Sequence, residues 1–241
     1  MRIACLHTAA SNISVFETAA KALGIGADVL RHEVRADLLA AAENAGHLSA
    51  DICASTASAL LALAEQADAV VLTCSTLGPV VEGISSSVPI LRTDEALAAS
   101  AVQAGGKIAV LCAVETTLEP TARLFHKAAL QSNAVVEVRL VPGAWRLFKA
   151  GDIDGYLATI AKAADAAYRD GMTRVALGQA SMSAAAVQVT AGPLPSVRLC
   201  NHCTPGLNAR SLVDPGLPGA QGFTRLRHRQ LHQVREDHAA E

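Results

Sequence analysis

A chain of 241 residues is long enough to bury a substantial core, either as one α/β domain or as two smaller ones. Hydrophobic residues make up 51% and charged residues 17%, but no apolar run approaches the roughly 18 residues that cross a bilayer, which excludes a membrane-spanning helix. A net charge of −2 with 3% aromatic residues gives neither a basic face nor a stacking platform for nucleic acid, so small-molecule chemistry is the default expectation.

Short β-branched runs alternate along the chain with longer Ala/Leu-rich segments of helical period, the pattern of βα units around a mainly parallel sheet. The opening MRIACLHT passes directly into a strand-like run with no secretory signal, which points to the cytoplasm. Strands are expected at Ile3–His7, Asp28–Glu33, Ala69–Thr73, Pro89–Leu91, Lys107–Leu111, Val135–Leu140 and Arg174–Leu177. Helices are expected between them at Asn12–Leu23, Arg35–Asn44, Asp51–Gln66, Thr93–Ala104, Leu118–Gln131, Asp152–Arg169 and Ser181–Thr190. Two segments, DAVVLTCSTLGPVVEG (68–83) and TRVALGQASMSAAAVQ (173–188), each read as an apolar strand, a small polar turn and a helix. Such a pseudo-repeat implies two similar α/β lobes, residues 1–95 and 96–197, with equivalent loops facing each other across a cleft that holds the active site.

After about Arg198 the composition changes. The remaining stretch, 198–241, carries half of the histidines, many Gly and Pro, and no clear period, so it reads as loop or disorder with at most a short helix near Thr224–Arg235. Cys200, His202 and Cys203 lie close together there, but one C-x-x-C with one His lacks a full ligand set, and no metal is expected. The six cysteines are scattered through apolar stretches and read mostly as small buried hydrophobes rather than a disulfide framework.

The segment VVLTCSTLGP (70–79) carries the strongest chemical signal. A buried strand ends on Cys74 with a helix expected soon after. In parallel α/β sheets ligands bind beyond the carboxyl ends of the strands, and a helix N-terminus there lowers a thiol pKa. Ser75 and Thr76 add hydroxyls beside it, enough with the backbone to hold a carboxylate. The same spacing also describes an inert cysteine at a strand end with Ser and Thr capping a helix. His7 and Thr8 follow the first strand, and Asn12 suits the cap of the first helix. His32 lies in RHEVR, a charged strand end that reads as surface.

VVLTCSTLGP (70–79), VPILRTDEALA (88–98), VLCAVETTLEPTARLF (110–125) and VALGQASMS (175–183) stand in an order that resembles the aspartate/glutamate/hydantoin racemase superfamily over about residues 1–195. The resemblance implies an isomerase of amino-acid metabolism that acts at the α-carbon of a small carboxylic acid. It needs no metal or pyridoxal cofactor, and family members often form homo-oligomers. It makes Cys74 the catalytic thiol. The substrate contacts it implies are Thr8 and Asn12 after the first strand, Ser75 and Thr76 beside the thiol, Thr117 in the loop after the Lys107–Leu111 strand, and Gln179 and Ser181 in the second repeat. The family's chemistry places a second thiol on the opposite face of the substrate, in the position of an LGCAGM motif; this chain reads LGQASM, with Gln179 there. A single thiol suffices to protonate one face of a carbanion, as in the arylmalonate decarboxylase branch. The alternatives are therefore a one-thiol decarboxylase-like enzyme and a non-catalytic small-acid-binding protein on the same scaffold.

Overall fold

The structure, a computed structural model, describes residues 1–197. The expectations for 198–241, including Cys200, His202 and Cys203, lie outside those residues. The chain runs β1 (Ile3–His7), α1 (Asn12–Ala22), β2 (Leu30–Val34), α2 (Ala36–Ala45), α3 (Ala50–Ala64), β3 (Ala69–Leu72), β4 (Ile90–Arg92) and α4 (Thr93–Val102). It continues through β5 (Gly106–Cys112), α5 (Leu118–Ala129), β6 (Ala134–Leu140), α6 (Ala144–Lys149), α7 (Ile153–Arg169), β7 (Arg174–Leu177) and β8 (Ser196–Val197). Among the described residues no helix is long and apolar enough to cross a membrane.

Two four-stranded sheets result, ordered β2-β1-β3-β4 and β6-β5-β7-β8, with every pairing parallel. Numbered within its own lobe, each sheet has the order 2-1-3-4, so the pseudo-repeat of the sequence is a repeat of topology. Burial on both faces accounts for the unbroken apolar strands: Val70 and Leu72 in the first lobe, and Ile108, Ala109, Val110 and Leu111 in the second, are essentially inaccessible. Helices cover the faces with periodic apolar stripes, as in α7, where Tyr156, Leu157, Ile160, Ala161, Ala164 and Ala167 are buried at spacings of one to four residues. Asp152 starts that helix by accepting a hydrogen bond from Gly155 N at 2.9 Å.

The passage between lobes falls at Arg92–Thr93. β4 still pairs with β3, whereas Leu97, Ala98, Ala101 and Val102 of α4 pack with Ile108, Val110, Phe125 and Ala176 of the second lobe. At this junction the Arg92 guanidinium is buried against Asp94, with contacts of 3.0 and 2.9 Å, and reaches Glu82 at 3.4 Å. Its plane also lies on Gly78: a Cβ there would come within 2.3 Å of the Arg92 Nη2.

Three expectations need correction. The segment after Cys74 is not an α-helix but a turn leading into a six-residue 3-10 stretch, Gly78–Gly83, which begins and ends on glycine and is too short for an α-helix to propagate. The helix expected over Ser181–Thr190 is likewise a 3-10 stretch, Ala180–Gln188, opened by an i→i+3 bond from Met182 N to Gln179 O of 3.0 Å. The cap of α1 is Ser11, and Asn12 is the first helical residue, buried and facing inward.

Candidate active site

Each sheet has one place where the chain order reverses, between β1 and β3 in the first lobe and between β5 and β7 in the second. Beyond the carboxyl ends of strands at such a reversal, loops diverge to opposite faces and leave a crevice. The two crevices meet. Ser75 Oγ, just after β3, donates to Gly178 O, just after β7, at 3.2 Å, and Thr76 Oγ1 lies 3.2 Å from Thr116 Oγ1 across the same junction. Gly178 is required there, since a Cβ would approach Leu111 O to 2.7 Å.

Between these loops lies a small cavity of about 30 Å³, open to solvent at its mouth. The first lobe contributes Thr8, Asn12, Thr73, Cys74, Ser75 and Thr76 to its wall, and the second contributes Thr117, Gln179 and Ser181. All eight residues expected from the sequence therefore border one space. Among the described residues no lysine or arginine does, and the polar groups of the wall are hydroxyls, amides and the Cys74 thiol.

The individual groups are held as follows. Cys74 is 9% exposed. Gln179 accepts from Ala113 N through Oε1 at 2.5 Å, which anchors the side chain to the end of β5. Ser181 Oγ lies 2.9 Å from the Tyr156 hydroxyl, whose pKa burial raises. Thr117 Oγ1 donates to Val114 O at 2.5 Å. Asn12 Oδ1 is buried with no hydrogen-bond partner among the described residues, an acceptor at the wall whose lost hydration a ligand N–H would offset. The α-helix N-terminus expected to activate Cys74 is absent, since only the short 3-10 stretch beginning at Gly78 follows it.

Sequence reasoning missed the mouth of the cavity. Leu39 of α2 and Trp145 and Phe148 of α6 line it, the two aromatic rings stacked at 4.8 Å. Trp145 Nε1 donates to Glu43 Oε1, which also pairs with Lys149 Nζ at 3.5 Å, so α6 of the second lobe is tied to α2 of the first. The six residues of α6 are too few to show a period, and an aromatic pair three apart was the one available signal.

His32 is also placed differently from expectation. It pairs with Cys5 in the register of β2 on β1, its side chain is only 12% exposed, and it faces the wholly buried His7. Cys5, His7 and His32 offer donor atoms within 4.8 Å of one another, a possible metal cluster. The geometry fits a hydrogen bond instead. His7 Nε2 and His32 Nδ1 are 2.9 Å apart with ring centroids at 5.1 Å and planes 24° apart, values met when the rings lie end to end. Two neutral imidazoles at that separation share one N–H···N hydrogen bond, which a metal bound at either nitrogen would break. Burial also pushes the Cys5 thiol up to about 12, so it is not a ready thiolate ligand.

The fold is thus a pair of parallel α/β lobes with opposed switch-point loops and a thiol in the shared crevice. The sequence profile of the Asp/Glu/hydantoin racemase family matches residues 40–198, well over half of the chain, and the chain belongs to that family. Solved structures with the same fold include Picrophilus torridus aspartate racemase, with a TM-score of 0.66 at 11% identity, covering 82% of this chain and 88% of that one. An allantoin racemase from Pseudomonas fluorescens aligns with a TM-score of 0.60 at 20% identity over 91% of this chain and 93% of that one. Glutamate racemase RacE1 from Bacillus anthracis aligns with a TM-score of 0.58 at 16% identity over 81% and 75%. No curated protein matches the chain by sequence.

Proposed function

We propose that this chain acts at the α-carbon of a small carboxylic acid, with Cys74 as its single proton-transferring thiol and no cofactor. The observation that carries the reading is that Cys74 of the first lobe and Gln179 of the second line one cavity together with hydroxyl and amide groups. A substrate carboxylate would be held by hydroxyl and amide donors, which also stabilise the enediolate charge formed when the α-carbon becomes a carbanion. The Gln179 oxygen is engaged by Ala113 N, so its NH₂ group is the end presented to substrate. The unsatisfied Asn12 Oδ1 suits a ligand N–H, which favours an amino or amide substituent.

Gln179 supports decarboxylation as a second reading, because an amide cannot relay a proton to the second face as a thiol does. In that reaction the C–C bond to one carboxylate of a malonate breaks, carbon dioxide leaves, and the electron pair remains on the enediolate. The Cys74 proton then moves to the α-carbon and leaves a thiolate to be reprotonated.

The test is α-carbon deuterium exchange in heavy water together with optical rotation, using both enantiomers of aspartate, a 5-substituted hydantoin and phenylmalonate. Turnover of at least one, abolished by Cys74→Ser because a hydroxyl is a poor base at neutral pH, is the expected result. Turnover that survives Cys74→Ser sinks the thiol mechanism.

A further inference from the structure

We propose that Thr73, His7 and His32 form a proton relay that connects the surface beside Glu17 to the cavity next to Cys74, a role that rests on the one-thiol reading above. The relay groups act through one another and on the thiol; only Thr73 borders the cavity itself.

The direction of each hydrogen bond follows from proton count. The Thr73 hydroxyl donates to Leu6 O at 3.1 Å, so its oxygen accepts from His7 Nδ1–H at 2.9 Å. His7 Nε2 is then a lone pair, and it accepts from His32 Nδ1–H at 2.9 Å. His32 Nε2 is left as a bare acceptor. It has no hydrogen-bond partner among the described residues and lies 4.0 Å from the largely exposed Glu17 carboxylate. A buried nitrogen left unsatisfied beside an acid at the surface is a place for a proton to enter.

The chemistry requires such a path. With substrate in the cavity, Cys74 has almost no solvent contact, yet a one-thiol decarboxylation consumes one solvent proton in each turnover. In the relay a proton binds His32 Nε2 and the Nδ1 proton of His32 passes to His7 Nε2. The Nδ1 proton of His7 passes to Thr73 Oγ1 as the Thr73 hydroxyl turns from Leu6 O towards the cavity it borders and releases its own proton there. One proton enters and one leaves, with only N–H and O–H bonds exchanged. The rings end in the opposite tautomer and reset by rotating. Burial and the neighbouring His32 lower the His7 pKa to about 4, which keeps the ring neutral, with the one N–H and one lone pair a relay needs. Glu17 on α1 and the exposed Arg31 and Glu33 on β2 are the charged groups around the entry.

The experiment uses the full chain with phenylmalonate, aspartate and the 5-substituted hydantoin as probes. His32→Gln is expected to lower kcat about tenfold or more while KM changes by less than about twofold. His32→Ala should lose as much and regain activity with added imidazole, which supplies a mobile proton carrier at the same surface; a merely structural histidine gives no such rescue. Wild-type turnover that His32→Gln leaves intact, or a loss that imidazole does not restore, overturns the relay and leaves the thiol mechanism standing. Absence of turnover of aspartate, the 5-substituted hydantoin and phenylmalonate alike by the wild-type chain overturns the one-thiol reading and the relay with it.

Discussion

Asp94→Ala removes the main partner of a charge that has almost no access to water. The side chains of Arg92 and Asp94 are 2% and 3% exposed and meet through two contacts of 3.0 and 2.9 Å. Truncating one member of a buried pair leaves an uncompensated ion, which costs about 3–5 kcal/mol. Glu82, at 3.4 Å and 56% exposed, offsets part of this, so the lower end, about 3 kcal/mol, is expected. For a chain of this size that corresponds to a fall of roughly 6–12 °C in Tm. Because the guanidinium also lies on Gly78, four residues beyond Cys74, its displacement should loosen the thiol loop and lower kcat as well. Urea unfolding followed by circular dichroism measures the first effect, with the midpoint falling at unchanged m. The apolar pair Arg92→Met with Asp94→Leu should recover most of the loss, since it buries no charge. A single-variant cost below about 1 kcal/mol, or a double variant less stable than the single, would refute the reasoning.

Acid should destabilise the chain in a window set by His7. Its folded pKa of about 4 lies below the ordinary 6.5, so the unfolded chain takes up a proton first. The stability this group contributes is fully present above about pH 6.5 and is lost as pH falls towards 4, amounting to about 3 kcal/mol. His32, also lowered by burial, adds to the same window. Urea midpoints at pH 7.5 and 4.5 check this, and His7→Gln should flatten the difference. Gln179→Cys is expected to raise two-way racemisation by placing a thiol opposite Cys74, at a cost of about 1–3 kcal/mol because Ala113 N loses its acceptor. Polarimetry with each enantiomer of aspartate reads the first effect, and the same urea midpoints read the second.

The sequence by itself determined the βα order, the two lobes and the set of residues around the cavity. Fully buried parallel strands must be unbroken apolar runs, and the crevice of a parallel sheet lies at strand ends, so VVLTCS and VALGQAS mark its two sides through local pattern alone. Tertiary structure decided the rest. Short 3-10 stretches and the six residues of α6 are too brief for periodicity to register, so Ala180–Gln188 read as an α-helix and Trp145 and Phe148 read as nothing in particular. Cys74 lost its expected helix N-terminus for the same reason. His32 read as a surface residue because its neighbours Arg31 and Glu33 are charged, whereas the parallel register of β2 on β1 places it opposite Cys5, on the inward face beside His7. That register depends on packing between segments 27 residues apart, and no property of RHEVR alone encodes it.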